Sequence, residues 1–470
     1  METQDASATI SEYVSSLQYE SLPSEVVDVT KKGILDTLGV ILGASGTVPE
    51  AEILVDMITR LGGRPDATIL GCGDRVPAWH AAYVNGAMAH ALDYDDLHGG
   101  GLGHLYGPIV PAALAMAEQT SGTTGRDLIA AVCAGVDLLS RLNSSARATG
   151  NPHEWHAMSV NGVFGATVAA ARIAGLDARR LRSALGIAFT YAAGTMEIVY
   201  GTGNNTRGFV YALPGETGVR SSMMAEAGLA GVQNSFDGDA GLLNVYYQGE
   251  YSRAVLLDAL GERFLTVDAG FKPWPACGFA HIYIDMVLGL MKEHEIIPDD
   301  VSSVTVTVGD FAQRLCEPLE QKRRPSASME AKFSLPFTMA VAMVRGGIII
   351  RDYLPAHLAD KDILDFAKRV QYKVEHRFDF DPNASMPAGA VEISMRDGST
   401  YEREQKIAFG NPAKPMSWED LSDKFADCAE NAASTLPSAQ VAAAVEMLTN
   451  LEKVDEIGQV VDALGPKRQG

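Results

Sequence analysis

The sequence is poor in cysteine and shows no pairing among the cysteines it has. Five occur in 470 residues, far apart and without a C-x-x-C pair: Cys72, Cys133, Cys277, Cys316 and Cys428. Neither a disulfide framework nor a cysteine-based metal centre is indicated, so a reducing compartment is expected. The N-terminal segment also lacks the basic start and apolar run of a signal peptide. We therefore predict a cytoplasmic protein.

Positive charge is scarce as well. The chain has 38 Lys and Arg against 59 Asp and Glu, a net charge of −21. This balance disfavours binding to nucleic acid or to an anionic membrane surface, and an anionic substrate would need a local basic site. Long uninterrupted apolar runs are missing too, since the apolar stretch 132–139 is broken by Asp137. We predict neither a membrane-spanning segment nor a nucleic-acid partner.

Apolar residues, by contrast, are abundant. They make up 47% of the chain, and 470 residues exceed what one hydrophobic core usually supports. In the segments 22–45, 50–60 and 125–142 they recur every three or four residues, which predicts helices. Two domains are therefore expected, the first of them mainly α.

The pattern changes near residue 270. Valines alternate with polar residues between 301 and 308, which predicts a strand, and an Asp397-Gly398 turn within 390–405 predicts a hairpin. A helix fits 331–347. The predicted fold is mainly α: a large helical domain at 1–269, a smaller α+β domain at 270–407, and helices at 408–470 that pack back on the first domain.

Reactive side chains concentrate in residues 85–118, NGAMAHALDYDDLHGGGLGHLYGPIVPAALAMAE. The acids and imidazoles within it are His90, Asp93, Asp95, Asp96, His98 and His104. Helical patterns flank a glycine-rich loop, and Pro108 and Pro111 suit the first turn of the second helix. Because rigid helices would hold titratable groups in place, this stretch is the candidate reaction pocket.

Other parts of the chain add to this acid–base inventory. His156 precedes a helix of small residues, His281 follows Cys277 closely, and two candidate cations are Arg207 and Lys272. Removing a proton from a carbon next to a carboxylate builds negative charge, which fixed cations stabilise, and imidazole can take or return the proton. The GTG near Arg207 lacks a third glycine in register and a preceding strand, so we predict no dinucleotide or phosphate loop.

Several of these residues also have a purely structural explanation. Asp95 and Asp96 could bond only backbone amides at a helix end. His90 lies on an apolar helix and is expected to be a core histidine. Arg207 and Lys272, taken alone, would be surface cations.

The same stretch also contains residue types that bind metal ions. His98, Asp93, Asp95 and His104 offer nitrogen and oxygen ligands adequate for zinc or manganese, but their spacing contains no i, i+4 histidine pair, so we predict no metal site. Cys277 is expected to be a packed thiol rather than a nucleophile, because no signature places a histidine and an acid beside it.

A set of motifs over nearly the whole chain resembles the MmgE/PrpD family, which includes 2-methylcitrate dehydratase, cis-aconitate decarboxylase and iminodisuccinate epimerase. The motifs are LPSEVVDVTKKGILDTLGVILGAS, NGAMAHALDYDDLH followed by H-x-x-x-P-I-V-P-A, EWHAMSVNGVFGA, KPWPACGFAH, AKFSLPF and GNPAKPMSWEDLSDKF. The resemblance implies a helical domain built from both chain ends and an α+β lid domain. It also implies a homodimer with a cofactor-free site between the domains.

The resemblance carries over to individual residues. Asp93 matches the family's first acidic position, His104 the histidine after the glycine-rich loop, and His156 the histidine at the second helix entry. Lys272 matches the lysine that opens the lid segment. Arg207 stands where many members have lysine.

The chain departs from the family pattern at several positions. Leu97 and Leu105 replace the common threonine and proline, and Cys277 stands where several members have histidine. The usual Thr-Lys-x-Leu-His-Pro-Gly run is replaced by Thr206-Arg207-Gly208-Phe209-Val210-Tyr211. Arginine binds a carboxylate bidentately, but it hardly ever donates or accepts a proton.

Together these features predict a lyase or isomerase that moves a proton next to a carboxylate of a small polycarboxylate. His104 and His156 are the expected general acid and base in unassigned order, Asp93 would orient an imidazole, and Lys272 and Arg207 would clamp carboxylates. Dehydration is the first choice, with decarboxylation and epimerisation as alternatives. A non-catalytic helical dimer that acts as a scaffold is the alternative of another class, and a metal-dependent hydrolase is a third.

Overall fold

The structure is a computed structural model that describes residues 4–98, 103–147, 154–200, 206–379, 386 and 388–465. The chain divides into two compact units, Met1–Ala269 with Trp418–Gly470, and Gly270–Ser417. Helices dominate the described residues, so the prediction of a mainly α chain is confirmed.

The first part of the chain is a succession of helices. They are α1 (Ala6–Ser16), α2 (Ser24–Thr47), α3 (Pro49–Leu61), α4 (Ala78–Ala91), α5 (Tyr106–Gln119), α6 (Gly125–Arg147), α7 (Ala157–Ile173), α8 (Ala178–Ala188), α9 (Glu197–Tyr200), α10 (Ala212–Glu226), α11 (Leu242–Val245) and α12 (Arg253–Leu257). Short strands are β1 (Ala67–Thr68), β2 (Arg75–Val76), β3 (Leu97–His98) and β4 (Ala269–Gly270), and β1 pairs with β2 in antiparallel fashion. The helices predicted at 22–45, 50–60 and 125–142 correspond to α2, α3 and α6.

Close helix packing brings α4, α5, α7 and α10 together in the first unit. Glycines make it possible: a Cβ on Gly86 of α4 would lie 2.6 Å from the carbonyl oxygen of Tyr211, and a Cβ on Gly215 of α10 would lie 2.8 Å from that of Ala82. The end of α4 and the beginnings of α5, α7 and α10 carry the residues singled out above, so this packing positions the candidate site.

The start of α5 differs from the prediction. Pro108 lies in its first turn, but Pro111 lies inside the helix, where it lacks the N–H that would bond a carbonyl one turn earlier. The helix begins earlier than the prolines suggest because the carboxylate of Asp96 accepts the backbone N–H groups of Leu105 at 2.7 Å and Tyr106 at 3.0 Å. A tertiary contact thus sets the start of the helix.

The second unit contains a four-stranded sheet and helices. The strands are β5 (Val301–Val308), β6 (Val370–Val374), β7 (Gly389–Met395) and β8 (Thr400–Gln405), in the order β6-β5-β7-β8. The helices are α13 (His281–Glu293), α14 (Asp310–Gln313), α15 (Leu319–Arg323), α16 (Ser328–Lys332), α17 (Leu335–Arg345) and α18 (Lys361–Ala367). Strand β5 is parallel to β6 and antiparallel to β7.

The strand and hairpin predictions for this unit are confirmed. Strand β5 covers the alternating valines, and β7 and β8 form the hairpin, with Ser394 opposite Thr400. In its turn the Asp397 carboxylate accepts the backbone N–H of Ser399 at 2.8 Å, and Gly398 has a φ of 92°. The helix predicted at 331–347 begins only at Leu335, because the Ser334 hydroxyl caps α17.

The C-terminal helices return to the first unit. They are α19 (Trp418–Glu430), α20 (Ser438–Thr449) and α21 (Gly458–Leu464), and α19 packs on α2. From α19 the buried Lys424 forms an ion pair with Asp36 of α2 at 2.5 Å and donates to the backbone carbonyl of Tyr94 at 2.7 Å. The chain's last part therefore supports the acidic loop that follows α4.

One described helix, Gly125–Ala146, is long and apolar enough to cross a membrane, and α2 with α3 would pass the same test as a bent pair. Within the apolar window of that helix, 94% is buried inside the protein. The helix also contains an ion pair between Asp137 and Arg141, whose side chains are each 1% exposed. A core helix of this kind meets the length and composition criteria equally well, so they do not assign it to a membrane.

Replacing Arg141 with methionine should destabilise the first unit by about 3–5 kcal/mol, because it leaves the Asp137 carboxylate buried without its cation. It also removes a donor to the carbonyl oxygen of Asp258, 3.0 Å away. Urea unfolding measures the effect. The control is Arg60→Met, which breaks an exposed ion pair with Asp56 and should cost less than about 1 kcal/mol. Equal losses in the two variants would contradict the argument.

Candidate active site

A pocket in the first unit collects candidate residues from distant parts of the chain. The described residues that line it are His90, Asp93, His104, His156, Met158, Val199, Arg207, Val210 and Tyr211. The volume of this cavity is about 90 Å³. Four residues chosen from the sequence, Asp93, His104, His156 and Arg207, thus share one pocket. Lys272 belongs to the second unit, where its side chain is 1% exposed.

The acidic loop begins with a backbone reversal at Asp93. Its φ is 52°, in the left-handed region, and its N–H donates to the His90 carbonyl at 2.8 Å. Aspartate tolerates this conformation better than most residues, but it still costs free energy, and such positions cluster at functional sites. The reversal ends α4 and leads the chain back beneath His90, where Asp95 follows.

Asp95 binds two imidazoles at once. Its carboxylate lies 2.9 Å from Nδ1 of His90 and 3.0 Å from Nδ1 of His104, and it is fully buried. The two rings meet edge to face, with centroids 4.8 Å apart. Burial alone would raise the pKa of Asp95, but the charges and hydrogen bonds of His104 and His90 hold it well below its usual range. Asp95 therefore stays ionised and stabilises positive charge on either ring.

The hydrogen bonds of His104 fix which nitrogen can exchange a proton. Its Nδ1 lies 2.6 Å from the carbonyl oxygen of Asp96 as well as 3.0 Å from the Asp95 carboxylate. Both partners are acceptors, so we infer that Nδ1 carries a hydrogen. Nε2 is then the nitrogen that can take a proton from a ligand or return one, as general acid–base catalysis requires.

His156 has a different electrostatic environment. It precedes α7, and its Nδ1 lies 2.8 Å from the hydroxyl of Ser159. Burial, and then the positive charges of His90, His104 and Arg207, lower its pKa to about 4. His156 is therefore neutral at neutral pH and is suited to accept a proton rather than to donate one.

The lowered pKa of His156 predicts a pH dependence of stability. The folded protein binds this proton near pH 4 and the unfolded chain near pH 6.5, so between these values the unfolded state holds more protons. Stability should therefore fall by up to about 3 kcal/mol from pH 6.5 to pH 4 on this account. In His156→Gln that part of the fall should disappear, as urea unfolding at pH 7 and pH 4.5 can measure. The exposed His357→Gln variant is the control and should match the unmodified protein.

Asp96 and Tyr211 complete the surroundings. Burial, and then the charge of Asp95, raise the pKa of Asp96 to about 7, and its carboxylate binds the start of α5. For Asp96 the structural explanation offered by the sequence therefore holds. The ring of Tyr211 packs against His90 at 4.9 Å, and burial followed by the charges of the nearby acids raises the pKa of its hydroxyl well above its usual range, which keeps it protonated.

His90 lines the pocket, although its place on an apolar helix predicted a core histidine. The expectation of an ordinary core histidine is wrong, because its side chain lines the pocket, is 12% exposed and bonds Asp95. Its position in the last turn of α4, directly before the acidic loop, was the available signal. The candidate metal ligands also change: His90, rather than His98, joins Asp93, Asp95 and His104, and the ligand atoms of these four side chains lie within 4.8 Å of one another.

The residues of the KPWPACGFAH motif lie in the second unit. The ring of His281 is 3% exposed, and its Nε2 lies 3.0 Å from the carbonyl oxygen of Ala276. Cys277 is a buried thiol, as expected from the sequence.

Three imidazoles and an arginine line one pocket, and a buried carboxylate binds two of those imidazoles. This arrangement suits the protein to proton transfer beside an anionic group. Comparison with known families gives its relationship. The model of the MmgE/PrpD N-terminal domain matches residues 8–254, and that of the MmgE/PrpD C-terminal domain matches residues 274–452. The chain belongs to the MmgE/PrpD family.

The chain aligns with curated relatives over almost its full length. Cis-aconitate decarboxylase of Homo sapiens is 26% identical over 466 residues, covering 96% of this chain and 93% of the relative. Cis-aconitate decarboxylase of Aspergillus terreus is 23% identical, covering 97% and 95%. A cis-aconitate decarboxylase-like protein of Aspergillus oryzae is also 23% identical and covers 90% of each chain.

Proposed function

We propose that the protein is a cofactor-independent lyase that decarboxylates a small unsaturated polycarboxylate of the cis-aconitate type. The observation that carries the proposal is the pocket in which His104, oriented by the buried Asp95, lies with Arg207. From the sequence alone, dehydration is the first choice of reaction. The names of the relatives favour decarboxylation instead.

The proposed reaction needs one proton and no redox partner. The bond between the CH2 carbon and its carboxylate breaks and CO2 leaves. The electron pair forms a new double bond to the central carbon, and the old double bond's electrons move to the carbon next to a second carboxylate. That carbon then takes a proton from an imidazole, which recovers it from water. The charge that builds up there is what a positioned acid and a fixed cation stabilise.

The environments of His104 and His156 suggest which of the two donates a proton and which accepts one. His104 is the proposed proton donor, because ionised Asp95 stabilises its cationic form. His156, neutral at neutral pH, is the proposed acceptor of hydrogen bonds or protons. Arg207 is proposed to bind a carboxylate through its planar fork, and Asp93, which also lines the pocket, is proposed to orient an imidazole. Lys272 is proposed as a second carboxylate ligand on the strength of the family resemblance.

A hydro-lyase remains the second candidate. Dehydration uses one acid and one base, and His104 is suited to donate a proton whereas His156 is suited to accept one. Epimerisation needs the same charged intermediate and is distinguished by its product.

A metal-dependent hydrolase using the cluster of His90, Asp93, Asp95 and His104 would lose activity with a chelator and show bound metal on elemental analysis. A scaffold protein would retain its role in cells after His104 is replaced. The cytoplasmic location and the homodimer remain predictions, and sedimentation analysis tests the second.

The test is proton NMR of the purified protein in deuterated water with cis-aconitate, citrate, 2-methylcitrate and iminodisuccinate. Decarboxylation should yield CO2, a terminal alkene and one deuterium next to a carboxylate. Dehydration would yield an alkene without CO2, and epimerisation would yield exchange alone. If none of the four acids reacts or exchanges at substrate-level concentrations, the proposal fails.

A further inference from the structure

Three apolar side chains, together called the apolar wall, line the pocket along with its proton-transfer groups. Met158, Val199 and Val210 line it together with the imidazoles. Met158 is 4% exposed, and its sulfur accepts the backbone N–H of His104 at 3.1 Å, so this part of the wall is held next to the proposed proton donor. Val210 follows the short helix Thr206–Phe209 that carries Arg207.

Positive charge is limited on the same surface. Among the described residues that line the pocket, Arg207 is the only arginine or lysine, and Asp93 adds a carboxylate. The ionised Asp95 lies directly behind the two rings. A ligand carboxylate placed against Met158, Val199 and Val210 would lose its water without gaining an ion pair from these side chains, whereas an alkyl group would gain from the same contact.

The chemistry of the proposed reaction identifies which carboxylate is dispensable. One carboxylate of cis-aconitate leaves as CO2, and a second stabilises the carbon that takes the proton. The third is attached to the central carbon of the three-carbon system through which the electrons move. An allylic anion carries its charge on the two outer carbons, so the substituent on the central carbon takes no part in stabilising it.

We propose that the natural substrate carries an alkyl group in place of this central carboxylate, which makes it a 3-alkylpent-2-enedioate. This inference rests on the proposed function. The balance is unchanged: the dianion and one proton give CO2 and a 3-alkylbut-3-enoate, with one C–C bond broken, the double bond shifted and one C–H bond formed.

Two matched comparisons test the inference in the full-length protein. The first is kcat/KM for (E)-3-methylpent-2-enedioate against cis-aconitate, which differ only in methyl against carboxylate, and about a 10- to 100-fold preference for the methyl acid is expected. The second is calorimetric binding of the saturated analogues 3-methylglutarate and propane-1,2,3-tricarboxylate, which needs no turnover. Tighter binding of 3-methylglutarate is expected.

The outcomes separate this inference from the proposed function. Preference for the methyl compounds in both measurements supports both proposals. Tighter binding of 3-methylglutarate without turnover of either alkene supports the apolar recognition and counts against the decarboxylation. Equal or tighter binding of the tricarboxylate overturns the inference even if cis-aconitate is decarboxylated, and absence of binding by both analogues overturns it as well.

A variant locates the preference on the apolar wall. Val210→His places a hydrogen-bond donor there and should reduce the preference for the methyl acid about tenfold, chiefly by improving binding of the tricarboxylate. Val245→His, at a position 55% exposed on α11, is the control and should leave both constants unchanged. An unaltered preference in a folded Val210→His protein would overturn the role given to this wall.

Discussion

Replacing His104 with glutamine is expected to lower kcat for the proposed decarboxylation by about 10³-fold, with a much smaller change in KM. Glutamine retains a polar side chain, so the pocket remains lined, but it cannot carry a proton from water to carbon. In the unmodified protein the proton is expected to pass through Nε2 of His104, because Nδ1 is bonded to the Asp96 carbonyl and the Asp95 carboxylate. Steady-state kinetics, with deuterium incorporation as a second readout, measures the effect.

A histidine of α4 provides the matched control for this experiment. His80 is partly buried in the first unit, and His80→Gln should leave kcat within about twofold. Thermal unfolding of both variants shows whether either has lost its fold. A fall in kcat of less than tenfold in a folded His104→Gln protein would assign the proton transfer to another group, and His156 would be examined next.

Much of the fold follows from the periodicity of apolar residues. Helix α2 and strand β5 occupy the segments that their patterns predict, because each pattern places one face or both faces of an element in a core. Helix ends are less predictable, because they depend on contacts from elsewhere in the chain. Asp96 starts α5 before Pro108, and the Ser334 hydroxyl delays α17, and neither effect is visible in the pattern alone.

The candidate site shows the same limit more sharply. Residue type and family resemblance pointed to His104, His156 and Arg207, and the structure places all three on one pocket. The apolar pattern of α4 predicts that His90 lies on a buried face of the helix. The pattern cannot show that the pocket is lined by residues of that same buried face. The adjacent acids Asp95 and Asp96 are indistinguishable in sequence, and only tertiary distances separate the one that binds two imidazoles from the one that caps a helix.

That distinction leads to a second large effect. Asp95→Asn should lower kcat by about 10²- to 10³-fold, because a neutral amide cannot stabilise positive charge on His104 as the carboxylate does. Each carboxylate oxygen lies within 3.0 Å of an imidazole nitrogen. The NH2 group of asparagine would replace one of these oxygens, which favours the wrong tautomer of the facing imidazole or rotates its ring. The kinetic loss should exceed any loss of stability, which urea unfolding and a binding measurement with 3-methylglutarate can establish separately.

The Asp96→Asn variant makes the same chemical change at the next residue in the chain and should behave differently, because the Asp96 carboxylate bonds the start of α5 rather than an imidazole. Asparagine still offers one oxygen to the start of α5, so a loss of about 1–2 kcal/mol in stability is expected from the second N–H. Because its pKa of about 7 already leaves Asp96 partly protonated near neutral pH, loss of its charge should change kcat less than about tenfold. If the two variants lost kcat equally, the loop as a whole rather than the Asp95 charge would govern catalysis. A large loss confined to Asp95→Asn would place the controlling charge between His90 and His104.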